Sequence, residues 1–354
     1  MGGHDSGGAG GEKYEQTPHD PARLGFACLL NGVEPVDPAR PFAWLGIGAD
    51  EQDLARLAAR FPHGGFHRLD ADGVPDAALP ELDFVTLPDT WAVLDPGRRA
   101  AVVDLLAHRL KPGAVVLAAY DAMPGATVQE PLQRLFVEYR NQHPSDPEQA
   151  CAWIQDLVDA DADFLAPGSA AHRQWIRYRE GGARLAGTAL YAADVGRELA
   201  AAKLAFAGSA DLSRIFTEDF MTAEQEAVLA GAANPELRET LRDFLCNTAW
   251  RCDLFVRGPR ALLPARAMQW FARCLLAAAG IGIEARVQAG AALPLQTLAD
   301  ALAQGPRTLA ELLELPAFRG KPRLLQRAAA CLVAQAGAAV SFLPACAMSA
   351  EEAR

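Results

Sequence analysis

Residues 42–61, FAWLGIGADEQDLARLAARF, constrain the fold of this chain more than any other stretch. An apolar run short enough for a buried strand enters a Gly-x-Gly turn. An amphipathic helix leaves it, with Leu54, Leu57, Ala58 and Phe61 on one face. That is how a nucleotide-binding site opens in a doubly wound α/β fold. Upstream, DPARLGFACLLNG (20–32) reads as a short helix capped by Asp20, with Pro21 at its first position and Asn31-Gly32 at its end. Downstream, GFHRLD (65–70) and LDFVTL (82–87) read as short strands. PGRRAAVVDLLAHRL (96–110) is a helix that stops before Lys111-Pro112-Gly113, and AVVLAAY (114–120) is a buried strand. Strand and helix alternate, which predicts a parallel sheet covered on both faces.

After residue 126 the rhythm changes. Residues 128–142, 147–160 and 168–187 read as successive helices. Residues 195–216 read as a helix followed by a short extended piece, and 234–258 as a capped helix running into an extended WRCDLFVRG. From Pro264 onward, three short helices and a terminal strand predict a winged-helix-like unit. The expected organisation is therefore a disordered 1–13, an α/β domain over 14–126, a mainly helical region over 127–260 and a winged-helix-like unit over 261–354.

Charge and composition exclude several functions. A net charge of −11 argues against a nucleic-acid reader, and the basic RGKPR cluster (319–323) is too small to change that. The cysteines at 28, 151, 246, 252, 274, 331 and 346 are scattered, without Cys-x-x-Cys. They read as small core residues of a reducing compartment rather than disulfides or a zinc site. His63 and His67 have His-x-x-x-His spacing, but the histidines show no obvious carboxylate partnering, so no metal is expected. Ser169 and Ser209 follow glycine but lie in no Gly-x-Ser-x-Gly elbow, which leaves a hydrolase without a nucleophile. No apolar run reaches the ~18 residues a membrane span requires. The polar, glycine-rich start MGGHDSGGAGGEK is unlike a signal peptide, so a cytoplasmic protein is expected.

Three segments together resemble bacterial class I S-adenosylmethionine-dependent methyltransferases that carry a methyltransferase regulatory domain. YEQTPHDPARLGFACLLNGVEP (14–35) is similar to that family's lead-in. DTWAVLDPGRRAAVVDLLAHRLKPGAVVLAAYDAMPG (89–125) resembles its tryptophan-proline segment, where a strand runs out into a Tyr-Asn-x-x-Pro-Gly loop, here Tyr120 to Gly125. LAFAGSADLSRIF (204–216) with LRETLRDFLCNTAWRCDLFVRG (237–258) resembles the regulatory region's ending, and it is the most specific of the three. The resemblance implies S-adenosylmethionine as cofactor, its methionine end held at Gly46 and Gly48. It places Tyr120 and Asp121 beside the methyl-transfer site, with Asp121 where the family has asparagine. Trp91 either lines the cofactor or substrate pocket or closes a strand end.

The sequence departs from that pattern where the cofactor should bind. Trp44 stands near the place of an expected acid, and Asp50 takes the third small position of the turn, where it serves equally as a helix cap. Between Gly46 and Asp83 a complete fold needs two helices and two strands, about 45–50 residues, and only 37 positions separate them. One strand–helix step is missing. Asp70 or Asp72 could grip the ribose or sit near the adenine, but not both. The expected protein is thus a truncated Rossmann-like domain with impaired cofactor binding, acting as partner or regulatory subunit of an active methyltransferase. The alternative is an active enzyme with an altered pocket, methylating a protein side chain or small molecule. Nicotinamide-dinucleotide binding fits worse, for want of a third glycine and a well-placed acid. Arg251, Asp253 and Arg257 must be paired if buried, so they form either an internal network or a partner-docking surface.

Overall fold

The computed structural model describes residues 17–71, 73, 79–88, 90–143, 147–179, 187–279 and 293–345. The glycine-rich 1–13 and Asp72 lie outside the described residues. Helix α1 (Pro21–Leu30) starts where the Asp20 carboxylate accepts the N–H groups of Ala22 and Arg23. Then come β1 (Phe42–Ile47), α2 (Glu51–Arg60), β2 (Gly64–Leu69), β3 (Leu82–Leu87), α3 (Pro96–Arg109) and β4 (Leu110–Asp121). Asp50 caps α2 by accepting the N–H of Gln52, and Asp95 caps α3 by accepting those of Gly97 and Arg98, first-turn donors that have no partner within the helix. The four strands pair in parallel in the order β2-β1-β3-β4. Between β1 and β3 the described residues hold one helix and one strand, as the residue spacing requires. Strand β2 is therefore the sheet edge.

The stretch expected to be mainly helical also completes this sheet. It contains α4 (Glu130–Gln142), α5 (Pro147–Asp159), α6 (Ala170–Arg179), α7 (Ala192–Ala200), α8 (Ala223–Ala230) and α9 (Pro235–Cys246). It also contains β5 (Leu204–Ser209) and β6 (Trp250–Arg257), the two pieces that read as extended. Strand β6 pairs antiparallel with β4, from Asp121↔Trp250 to Val115↔Val256, and β5 pairs antiparallel with the far side of β6. The full order is β2-β1-β3-β4-β6-β5. Helices α4 to α6 form a separate small core, around Leu132, Phe136, Ile154 and Trp175.

Side chains alternate across the sheet because successive residues of a strand point to opposite faces. Phe42, Trp44, Phe84, Val115, Leu117, Leu254 and Val256 join one core. Leu45, Ile47, Val85, Val116, Tyr120 and Phe255 join the other, under α3 and α7. The first core continues without a break into α1 and the C-terminal elements: α10 (Pro264–Phe271), β7 (Cys274–Ala278), α11 (Leu295–Ala303), β8 (Arg307–Thr308), α12 (Leu309–Leu313), α13 (Pro322–Ala334) and β9 (Ala338–Phe342). These last strands make an antiparallel sheet ordered β8-β7-β9. The basic cluster lies exposed on the surface, where Arg323 forms a two-pronged ion pair with Glu218; nearby Arg327 pairs with Asp219. No helix among the described residues is long and apolar enough to cross a membrane. None of their His, Cys, Asp and Glu groups is arranged to hold a metal ion.

Candidate functional site

Open α/β sheets bind ligands beyond the carboxyl ends of their strands. Two clusters lie along that edge. The first is the glycine turn after β1, which meets the end of β2 and the residues after β3. Gly48 has a φ of +72°, a backbone region that glycine enters without strain. The space that both glycines leave is already filled. A Cβ on Gly46 would stand 2.5 Å from the ring edge of Trp44 and 2.6 Å from the Cβ of Ala49. One on Gly48 would stand 2.5 Å from Thr90 Oγ1. The Thr90 hydroxyl lies 2.9 Å from each of the carbonyls of Ile47 and Pro88, so its proton ties the turn to the loop after β3.

Trp44 is 0 % exposed, and its ring centroid lies 5.6 Å from that of Phe66 on β2. Its indole N–H is buried without an acceptor among the described residues. Beside the turn, the guanidinium of Arg68 donates to the Ala49 carbonyl at 2.9 Å, to Glu51 at 3.0 Å and to Asp70 at 2.6 Å. Gly46, Gly48 and Asp70 are thus brought together at the ends of β1 and β2. Yet the Asp70 carboxylate is engaged by an arginine, and the glycines cradle the chain's own side chains. Trp91 is fully buried and donates its indole N–H to Glu198 on α7, which also pairs with Arg99.

The second cluster lies where β4, β6 and β5 end or begin together. Tyr120 is 0 % exposed and its hydroxyl donates to Asp253 Oδ2 at 2.7 Å. Arg251 donates from Nε to the same oxygen at 2.7 Å, from Nη1 to Asp243 at 2.7 Å and from Nη2 to Glu239 at 2.6 Å. Antiparallel pairing puts Tyr120 opposite Arg251, and residues 251 and 253 share a face of β6. Asp243 and Glu239 are four apart on α9 and so face the same way.

Burial pushes the Tyr120 hydroxyl well above its usual range, and the Asp253 carboxylate pushes it further, so the phenol stays protonated. Burial also raises Asp243 to about 6, against the pull of Arg251. For Arg251, burial works against the charge, but the surrounding carboxylates and Tyr120 outweigh it and hold the guanidinium protonated. Arg257 points elsewhere and donates to the carbonyls of Leu106 and Ala107, closing the end of α3. The three charged residues of the β6 motif therefore serve internal contacts. Asp121, at the end of β4, is half-buried and accepts from Gln133 at 3.3 Å. A small cleft of about 30 Å³ lined by Asp211, Arg214, Asp243, Cys246, Trp250 and Arg251 opens over this cluster. Asp243 opens the Asp-x-x-x-Asn-x-x-x-Arg-x-Asp pattern (243–253) of the regulatory-type ending, whereas its helix neighbour Glu239 and the turn partners Arg68 and Thr90 were not singled out from the sequence. For Glu239 the four-residue spacing from Asp243 on an amphipathic helix is the local signal.

Three comparisons bear on this arrangement. Residues 186–257 match the family model described as a predicted methyltransferase regulatory domain. An uncharacterized protein of Synechocystis sp. is 28% identical over 204 residues, covering 54% of this chain and 40% of that protein. PKMT2 from Rickettsia typhi superposes with a TM-score of 0.53 at 14% identity, over 74% of this chain and 58% of that one. Its complex with AdoHcy gives a TM-score of 0.52 at 13% identity, over 73% and 57%. The chain thus spans about two fifths of the Synechocystis protein and under three fifths of PKMT2. The resemblance is borne out to this extent: residues 186–257 match the regulatory-domain model, and the chain shares its fold with PKMT2.

Proposed function

We propose that this methyltransferase-fold protein does not bind S-adenosylmethionine at its glycine turn and acts as a regulatory partner of an active methyltransferase. One observation carries the reading: the room that Gly46 and Gly48 leave for a ligand is occupied by Trp44, Ala49 and Thr90. Glycines in such a turn let a ligand come close to the backbone, and a side chain in that place has the opposite effect. Arg68 strengthens the case, because its contacts to Ala49, Glu51 and Asp70 bridge the crevice where a ribose would lie. Methyl transfer needs positioning and desolvation more than an acid or base, so loss of the cofactor site removes the activity while leaving the fold intact. What remains for function is the regulatory region and the C-terminal unit, whose helices and β8-β7-β9 sheet we read as winged-helix-like.

Titration calorimetry of the purified chain with S-adenosylmethionine and S-adenosylhomocysteine tests the cofactor half of this reading. No saturable heat is expected. Binding at low micromolar concentration would overturn it and favour an active enzyme working on a protein side chain or small molecule. The partner half is tested by isolating the full chain from its native host and assaying methyl transfer by the complex and by the chain alone. Activity is expected only in the complex, and a complex without a methyltransferase contradicts the regulatory role.

A further inference from the structure

The largest room among the cavities described here lies away from both clusters, before the start of β1. It measures about 430 Å³, within the range of small-molecule sites. One wall is the segment leading into β1, with Glu34, Asp37 and Arg40. The other is α10 and the residues that follow it, with Arg266, Trp270 and Arg273. Arg273 is a built feature of this wall, with its side chain only 10% exposed. Its Nε donates to the Leu343 carbonyl at 2.9 Å, and Nη2 donates to both oxygens of Asp37 at 2.8 and 2.7 Å. Its guanidinium lies 4.8 Å from the centroid of the Trp270 ring. Arg266 pairs with Glu34 and with Gln269, and Arg40 uses Nε toward Asp37 at 3.3 Å.

Those pairings leave donors over. Nη1 of Arg273 and both Nη groups of Arg40 have no partner among the described residues, and the buried indole N–H of Trp270 has none either. Three guanidinium groups face two carboxylates around one cavity, in a chain whose net charge is −11. Both carboxylates are already held by arginine, so a cation would find no free ligand here. Planar guanidinium donors match carboxylate and phosphate oxygens in pairs. We infer that this cavity binds a small organic anion carrying phosphate or carboxylate groups. A ligand seated there touches the segment before β1 and the C-terminal unit at once. It would fasten the seam that the Asp37–Arg273 and Glu34–Arg266 pairs already hold.

The test uses the full chain, with inorganic phosphate and citrate as probes in calorimetry and thermal unfolding, and chloride added to equalise ionic strength. Saturable binding of at least one probe is expected, with a matching rise in Tm. Binding of phosphate alone assigns a phosphate ester, and binding of citrate alone assigns a carboxylate. Arg40→Gln combined with Arg266→Gln is expected to weaken that binding at least tenfold. Both side chains are largely exposed, so the fold should hold, and a Tm within a few degrees of wild type without probe verifies it. Arg319→Gln, on a surface away from the cavity, is expected to bind as wild type does. Absence of saturable binding, or binding unchanged in the double variant, overturns the inference.

Discussion

Trp44 decides more about this protein than any other single residue. It is fully buried, packs on Phe66 and lies against Gly46, near the place where the resemblance leads one to expect an acid. If it fills a core, Trp44→Ala should cost about 3–5 kcal/mol in urea unfolding, the usual range for losing a buried tryptophan. A loss near ~1 kcal/mol would mean the ring lines open space instead. Asp243 gives a second residue-scale expectation. Its folded-state value is raised from 3.8 to about 6 by burial, with Arg251 and Asp253 as the facing charges. A carboxyl raised in the folded state contributes stability while protonated. The contribution is complete below its unfolded value and is lost as pH rises toward 6. Glu218 and Glu311, lowered by hydrogen bonds, work in the opposite sense but are common to wild type and variant. Subtracting the unfolding free energies of Asp243→Asn from wild type should therefore leave a difference that falls across pH 4–6 and is flat above. A difference independent of pH would place Asp243 in contact with water.

The turn between β1 and α2 is fixed both by its backbone conformation and by a contact from a distant loop. Gly48 is required by its left-handed backbone and again by the Thr90 hydroxyl, so Gly48→Ala meets two penalties. Gly113 has a φ of +83° and nothing within 4 Å of where its Cβ would be, so Gly113→Ala meets the backbone penalty alone. That penalty is about 1–2 kcal/mol. Gly48→Ala should exceed Gly113→Ala in denaturant unfolding, and equal losses would remove Thr90 from the account. The sequence made this element legible because a strand, a turn and a capped helix are set by residues within a few positions of one another. It also fixed that one strand–helix step is missing, since 37 positions cannot hold two. It did not show that WRCDLFVRG belongs beside β4, because a partner strand more than a hundred residues away leaves no mark in local periodicity.

At the scale of the molecule, the sheet and the C-terminal unit share one core and cannot be cut apart at the changes of rhythm. β6 lies between β4 and β5, so a fragment over 127–354 would leave it with a single neighbour. A fragment ending at 260 would uncover Phe26, Leu29 and the other α1 side chains that meet the C-terminal elements. Neither fragment is expected to unfold cooperatively in urea, and both are expected to lack near-UV circular dichroism and to bind a hydrophobic dye. A cooperative transition in either one would restore the boundary that the sequence suggests.

By itself the sequence determined the strand–turn–helix order, the caps, the missing step and the resemblance of the regulatory ending. Each of these is written in neighbouring residues or in a count between them. Only the tertiary structure decided what those parts do. It brought Thr90 to the carbonyl of Ile47 across 43 positions and Tyr120 to Asp253 across 133. It also packed Trp44, Ala49 and Thr90 against the glycines of the turn. The physical reason is that filling is a property of space. Which side chain takes the room a glycine leaves depends on how distant strands pack, and that packing is not encoded near the glycine.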